Sequence, residues 1–221
     1  MEDKRQAKEQ LYQLFARLAS ALANPHRLEL LDLLAQAPRT VENLAQEAHM
    51  SIANASQHLQ RLKQARLVAD EREGQHIRYS LANPAVARFW LELRGVAELQ
   101  MAEVDRALSD YRPLRYDFQK ISADSLQERM KGGEVVLLDV RPDVEFQAGH
   151  LPAAVSIPLD ELELRLGELP KDKLIVAYCR GPYCAFADQA LELLSGRGWK
   201  VARLEEGVAE WQIAGNLLEI G

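Results

Sequence analysis

Cysteine occurs twice in 221 residues, and both copies fall within Tyr178-Cys179-Arg180-Gly181-Pro182-Tyr183-Cys184. The apolar run Leu174-Ile175-Val176-Ala177 ahead of it reads as a buried strand, Gly181-Pro182 forces a tight loop, and Ala185 to Leu194 reads as a helix. Cys179 therefore sits at a strand end, facing a helix N-terminus. Successive amides in such a loop form a nest and the helix adds its positive end, so a negative charge on the Cys179 sulfur, thiolate or persulfide, is stabilised. Arg180, if it points inward, lowers the thiol further. The competing reading is a buried structural cysteine. For Cys184 two roles stand side by side. It resolves a persulfide or sulfenate on Cys179 into a disulfide or polysulfide bridge, or it packs as a small apolar residue.

The elements that position this loop belong to a chain of ordinary globular composition, 48% hydrophobic and 27% charged, with a length that suits two small domains. Four of the first six residues, Glu2 to Arg5, are charged, and no run approaches a membrane span, so a cytoplasmic location without membrane attachment is expected. Two cysteines in one loop are no disulfide framework. The net charge of −6 is uneven: residues 1 to 112 hold 15 basic against 15 acidic side chains, whereas 113 to 221 hold 12 against 18. The second half is thus a poor nucleic-acid binder, and between 51 and 81 the balance turns basic, five to three.

In the first half, Leu11, Leu14, Phe15, Leu18 and Leu22 recur at helical spacing, and Asn24-Pro25 caps and opens a second helix. Thr40 caps a short helix over 41–48. A turn at His49-Met50 leads to Ser51, cap of a fourth helix reaching about Ala65. Two short helices across a tight turn suggest helix-turn-helix. Ala55, Leu59 and Leu62 face the core, leaving Asn54, Ser56, Gln57 and Arg61 to meet base edges or phosphates, with Ile52 on the core face or at a thymine methyl. A β-hairpin follows, closed around Gly74, with Arg72, His76 and Arg78 placed to straddle a phosphate backbone.

These residues resemble the ArsR family of winged-helix regulators over about 5–110. The carriers are Leu22-Ala23-Asn24-Pro25-His26-Arg27-Leu28, Thr40-Val41-Glu42-Asn43-Leu44-Ala45, Ser51 with Ser56-Gln57-His58-Leu59 and Leu62, and Glu73-Gly74-Gln75-His76-Ile77-Arg78-Tyr79-Ser80-Leu81. The resemblance implies a homodimeric repressor on a palindromic operator in double-stranded DNA. Metal-sensing members carry cysteines in the helix over 41–48 or an Asp/His cluster in the last helix. This chain has neither, so no metal site and no cofactor are expected in this half. From Pro84 one long helix is expected, with Trp90, Leu93, Ala97, Met101, Val104 and Leu108 as a near-heptad seam against a twin helix or, alternatively, against its own domain.

Pro113 stops that helix, which places the domain join between 112 and 113. Beyond it strands and helices alternate, indicating a parallel sheet with its ligand at the carboxyl ends of the strands. This half resembles the rhodanese family of sulfurtransferases through Leu138-Asp139-Val140-Arg141, Glu145-Phe146, Gly149-His150-Leu151-Pro152-Ala153-Ala154, Val176-Ala177-Tyr178-Cys179-Arg180-Gly181 and Leu204-Glu205-Glu206-Gly207 with Trp211. The resemblance implies that Cys179 is the persulfide-bearing nucleophile, cradled by the amides of Arg180, Gly181, Pro182, Tyr183 and Cys184 as far as each has one. It also implies that Asp139 and Arg141 are a structural ion pair. Ala153 and Glu206 stand where the family often has glycine, which puts local backbone detail in question.

The expected architecture is a mainly α winged helix-turn-helix with a β-hairpin wing over 1–112, and an α/β rhodanese-like domain with a parallel sheet over 113–221. The expected function is a repressor regulated by, or coupled to, reactive sulfur from small sulfur species or a persulfide donor protein. A sulfurtransferase enzyme with an accessory DNA-binding domain is the first alternative, and a thiol-based arsenic or metal sensor a weaker one.

Overall fold

The structure is a computed structural model that describes residues 2–221. The chain divides into two compact units, one ending at Glu92 and the other beginning at Leu93. In the first, α1 (Glu2–Leu22), α2 (Pro25–Gln36), β1 (Arg39–Thr40), α3 (Val41–Glu47) and α4 (Ile52–Gln64) lead into β2 (Val68–Glu73) and β3 (His76–Leu81). Asn24, Thr40 and Ser51 each accept a hydrogen bond from the amide three residues on, closing the first turns of α2, α3 and α4. His49, at φ 49, turns the chain between α3 and α4. Leu30, Leu44, Ala55, Leu59 and Leu62 are fully buried and join these helices to Tyr79 of the wing. Each fully buried leucine contributes about 2 kcal/mol over an exposed one.

The wing is longer and tighter than the expected hairpin. Its first strand continues to Glu73, so only Gly74 and Gln75 form the turn, with Gly74 at φ 62. A third strand, β1, pairs with β3; a two-residue run gives no signal of it.

The single long helix expected from Pro84 is two helices, α5 (Pro84–Gln100) and α6 (Ala102–Tyr111), separated by Met101 in extended backbone (φ −122, ψ 97). No glycine or proline marks this break, and the hydrophobic spacing runs across it unchanged. Packing also groups residues 93–112 with the second unit rather than ending the first at 112. Arg94, Glu98 and Arg112 all bond to side chains or carbonyls beyond residue 180.

The second unit continues with β4 (Lys120–Ile121), α7 (Ala123–Lys131), β5 (Val135–Asp139), α8 (Asp143–Ala148), β6 (Val155–Ser156), α9 (Leu162–Arg165), β7 (Leu174–Tyr178), α10 (Phe186–Gly196), β8 (Lys200–Leu204) and α11 (Val208–Ile213). The five strands are all parallel, in the order β4-β8-β7-β5-β6. Side chains alternate across the sheet: Leu138, Ile175 and Ala177 enter one core layer, and Leu137, Val176 and Tyr178 the other. The central strand β7 runs directly into the cysteine loop, which therefore lies at the carboxyl edge of the sheet.

Candidate functional site

Cys179 follows the last residue of β7, and Gly181 turns the chain at φ 113, a conformation that glycine adopts without steric cost. The sulfur is almost wholly enclosed, at 1% exposure, and Cys184 is buried beside it; neither is in a disulfide. Burial alone pushes the Cys179 thiol up. That effect is outweighed by a hydrogen bond from the Cys184 thiol, the charge of Arg203, and the amides of Ala187 and Gly181, which together draw it down to about 6. Cys184 moves the opposite way, pushed well above the ordinary thiol value by bonding to Cys179 and by burial. Near neutral pH these shifts favour a thiolate at 179 beside a protonated thiol at 184, although the carbonyls of Cys184 (3.4 Å) and Gly181 (4.0 Å) also face the Cys179 sulfur.

The cation at this sulfur is Arg203, on β8, with Nη2 at 3.8 Å from Sγ. The same nitrogen donates to the carbonyls of Cys184 at 3.0 Å and Gly181 at 3.3 Å, fixing the loop's ends. Arg180 is not that cation. Its guanidinium turns to Glu145 (2.6 Å) and lies over the Phe186 ring, because Glu145, wholly buried, needs a partner. The amides around the loop are likewise divided. Those of Gly181 and Ala187 serve Cys179, those of Arg180 and Phe186 serve Cys184, and that of Cys184 bonds the Gly181 carbonyl at 3.2 Å. Pro182 offers only its carbonyl, which accepts from Arg112 Nη1, and the Tyr183 hydroxyl bonds Glu98.

Behind the loop, Asp139 and Arg141 form a fully buried pair. Arg141 Nη2 lies 2.7 Å from Oδ2 and Nε 3.0 Å from Oδ1, and Nη2 also reaches the Gly149 carbonyl at 2.9 Å. The Tyr178 hydroxyl donates to Asp139, and burial followed by that carboxylate holds the phenol well above its usual range. Gly207, after β8, packs against the loop: a Cβ there would stand 2.5 Å from the Arg180 carbonyl carbon and 2.6 Å from the Gly181 nitrogen.

In the first unit, α4 presents Ile52, Asn54, Gln57 and Arg61 on its exposed side, with Ser56 half-buried and Ser51 at the cap. Ile52, at 54% exposure, does not join the buried face. On the wing Arg72 and His76 are exposed and Arg78 half-buried. Arg78 lies 3.3 Å from Glu73, His76 3.7 Å from Glu42, and Arg72 Nε donates to the Gly74 carbonyl at 3.2 Å. Among the described residues no group of three or more His, Cys, Asp or Glu side chains is arranged to hold a metal ion, and no helix is long and apolar enough to cross a membrane.

Comparison with known proteins bears on both units. The rhodanese-like domain model matches residues 122–214, and the model of bacterial regulatory proteins of the arsR family matches 24–70. The HTH-type transcriptional regulator Rv0324 of Mycobacterium tuberculosis is 44% identical over 200 residues, 90% of this chain and 88% of that protein. The chain belongs to the ArsR-family transcriptional regulators and carries a fused rhodanese-like domain. A sulfurtransferase of Allochromatium vinosum is 32% identical over 93 residues, 42% of this chain and 86% of that one. A solution structure described as the homodimeric winged helix-turn-helix DNA-binding domain of Mycobacterium bovis Mb0332 is 43% identical, covering 41% of this chain and 84% of that chain with a TM-score of 0.40.

Within this ArsR-family regulator, motif reading overlooks Arg203, Asp188 and Arg112, and it quotes Glu145 without giving it a role. Two of them carry a signal in the sequence. Arg203 interrupts the buried strand Val201-Ala202-Arg203-Leu204, and Asp188 interrupts the apolar side of α10 between Ala187 and Ala190. A charged residue in such a run must find a partner. Ala153 stands where the rhodanese family often has glycine, and the structure shows why glycine suits the position: its φ is 59.

Proposed function

We propose that this regulator is a homodimer that binds a palindromic operator in double-stranded DNA, and that chemistry of reactive sulfur at Cys179 controls its repression. The observation that carries the sulfur assignment is the Cys179 thiolate, held by a neighbouring thiol, Arg203 and two amides at the carboxyl edge of a parallel sheet. For DNA contact, Asn54, Gln57 and Arg61 stand exposed on α4, with Ser51, Ile52 and Ser56 beside them and Arg72, His76 and Arg78 on the wing. For dimer contact, Leu11, Leu14, Phe15 and Leu18 of α1 are exposed, as are Phe89, Val96 and Leu99 of α5. Of the expected seam, Trp90 instead donates to Asp32 in its own unit at 2.7 Å.

The chemistry takes two balanced steps. The Cys179 thiolate attacks the outer sulfur of a persulfide RS–SH; the donor's S–S bond breaks, RS⁻ leaves, and Cys179–S–SH forms. The persulfide ionises to Cys179–S–S⁻; the Cys184 thiol passes its proton to the outer sulfur as its own sulfur attacks the inner one, giving the Cys179–Cys184 disulfide and releasing hydrosulfide, HS⁻.

Operator binding by the full-length protein tests the regulatory reading, with DNA selected from a random duplex library. A persulfide donor shifts wild-type affinity by about 5- to 150-fold, the usual span of allosteric coupling, and leaves Cys179→Ser unchanged. Equal affinities throughout overturn it. The second reading, a sulfurtransferase enzyme, is favoured by the likeness to the Allochromatium protein. The 1% exposure of Cys179 bears equally on both readings, since a sulfur donor must reach the same atom in each. Rapid thiosulfate-to-cyanide turnover lost in Cys179→Ser would establish it.

A further inference from the structure

The guanidinium at the sulfur is one of a pair. Arg112, just after α6, and Arg203 are each 1% exposed, and both bind one carboxylate, Asp188 of α10, which is 2% exposed. Arg112 gives Nε to Oδ2 at 2.6 Å and Nη2 to Oδ1 at 3.0 Å, while Arg203 Nη1 takes Oδ1 as well. The two arginines also hold three carbonyls of the cysteine loop: Arg112 that of Pro182, and Arg203 those of Gly181 and Cys184.

Charge balance gives the arrangement a purpose. The fully buried set holds two cations against one carboxylate. The next anion, Glu205, is partly solvated and divided among Arg203 (3.5 Å), Lys120 (3.3 Å) and Arg112 (3.9 Å). An uncompensated buried charge is strongly unfavourable, and the group able to supply the missing negative charge is Cys179. Take Arg112 away and Arg203 with Asp188 closes as a neutral pair, leaving the sulfur no surplus cation to face.

We propose that Arg112 is a positioning residue for Cys179: through Asp188 and Arg203 it keeps the sulfur anionic, and it is itself kept in place by that anion. The proposal rests on reading Cys179 as the sulfur nucleophile and deepens it by naming how modification is felt. A persulfide anion preserves the balance. The neutral Cys179–Cys184 disulfide removes the negative charge, leaves the arginine pair unbalanced, and loosens Arg112 and the α6 segment ahead of it. Coupling of this kind is reciprocal. Other groups facing the sulfur are the Cys184 thiol and, at longer range, the Tyr111 phenol, which feels both sulfurs.

The test is site-resolved alkylation of the full-length chain across pH, read by peptide mass spectrometry as the first ionisation of the cysteine pair. Arg203→Gln and Arg112→Gln each move the midpoint up by about one pH unit or more, a tenfold change in the ionisation constant. Arg112→Lys, which keeps the charge and loses the bidentate grip, moves it by less than Arg112→Gln does. A folded Arg112→Gln protein with the wild-type midpoint overturns the proposal. Should that variant not fold, hydrogen exchange decides: Cys179→Ser, carrying a neutral side chain, exchanges faster over 102–115 than wild type, and unchanged exchange overturns the proposal. Neither readout involves DNA, so failure here is distinct from failure of operator binding to respond to sulfur.

Discussion

Replacing Gly207 by alanine tests how closely the cysteine loop depends on the turn after β8. The new methyl carbon would lie 2.5 Å from the Arg180 carbonyl carbon, 2.6 Å from the Gly181 nitrogen and 2.7 Å from the Arg180 oxygen. Non-bonded carbon contacts settle near about 3.5–4.0 Å, so the 180–181 peptide or the turn must move by about 1 Å. The peptide has little room to yield, since Arg180 is tied to Glu145 at 2.6 Å and the Gly181 carbonyl to Arg203 at 3.3 Å. Overpacking of this kind costs about 1–3 kcal/mol. Moving the Gly181 amide away from the Cys179 sulfur also raises the thiol. The assay is urea unfolding followed by Trp199 and Trp211 fluorescence in a Trp90→Phe background, with Cys179 alkylation measured across pH. Gly196→Ala, where a Cβ meets nothing within 4 Å, is the control. If Gly207→Ala matches the control in stability and wild type in alkylation midpoint, the close approach does not govern the loop.

Arg141→Ala leaves Asp139 buried without its cation and destabilises the second unit by about 3–5 kcal/mol, measured by the same unfolding curves. Ala153→Gly relieves a φ of 59 at an exposed position; glycine's extra unfolded-state freedom offsets part of the gain, so net stabilisation of about 0.5–1 kcal/mol is expected from thermal unfolding. Arg61→Ala removes one exposed cation from α4. It weakens DNA binding about evenly across sequences and lowers the slope of log affinity against log salt by about 1, read by fluorescence anisotropy at several salt concentrations.

Much of this molecule is legible from residue types because its local signals agree with its packing. Asn24, Thr40 and Ser51 cap the helices they precede, Gly74 turns the wing, and Leu174–Tyr178 forms the strand that delivers Cys179. What escapes such a reading depends on contacts distant in sequence. The break at Met101 has no breaking residue, and the same stretch carries Arg94 and Glu98, which bond Glu210 and Tyr183 far along the chain. Arg180 is the nearer arginine in sequence. Arg203 is the nearer one in space, because parallel β8 lies beside β7 and ends at the same edge. Two-residue strands such as β1 and β4 are too short to show a period and exist by pairing with β3 and β8.

Whether Cys179 carries a negative sulfur is read from its titration. The native thiol lies near 6, below the unfolded value of about 8.5. The stabilisation that this difference contributes is therefore complete above about pH 8.5 and is lost as pH falls through 6. Thiolate nucleophilicity declines with thiol pKa, so the informative quantity is the midpoint and not the rate. Alkylation of Cys179 in the native chain, resolved from Cys184 by peptide mass, should reach half its limiting rate near pH 6. A midpoint at or above about pH 8.5 would mean that residue 179 is an ordinary buried thiol, and the assignment of sulfur chemistry would fail.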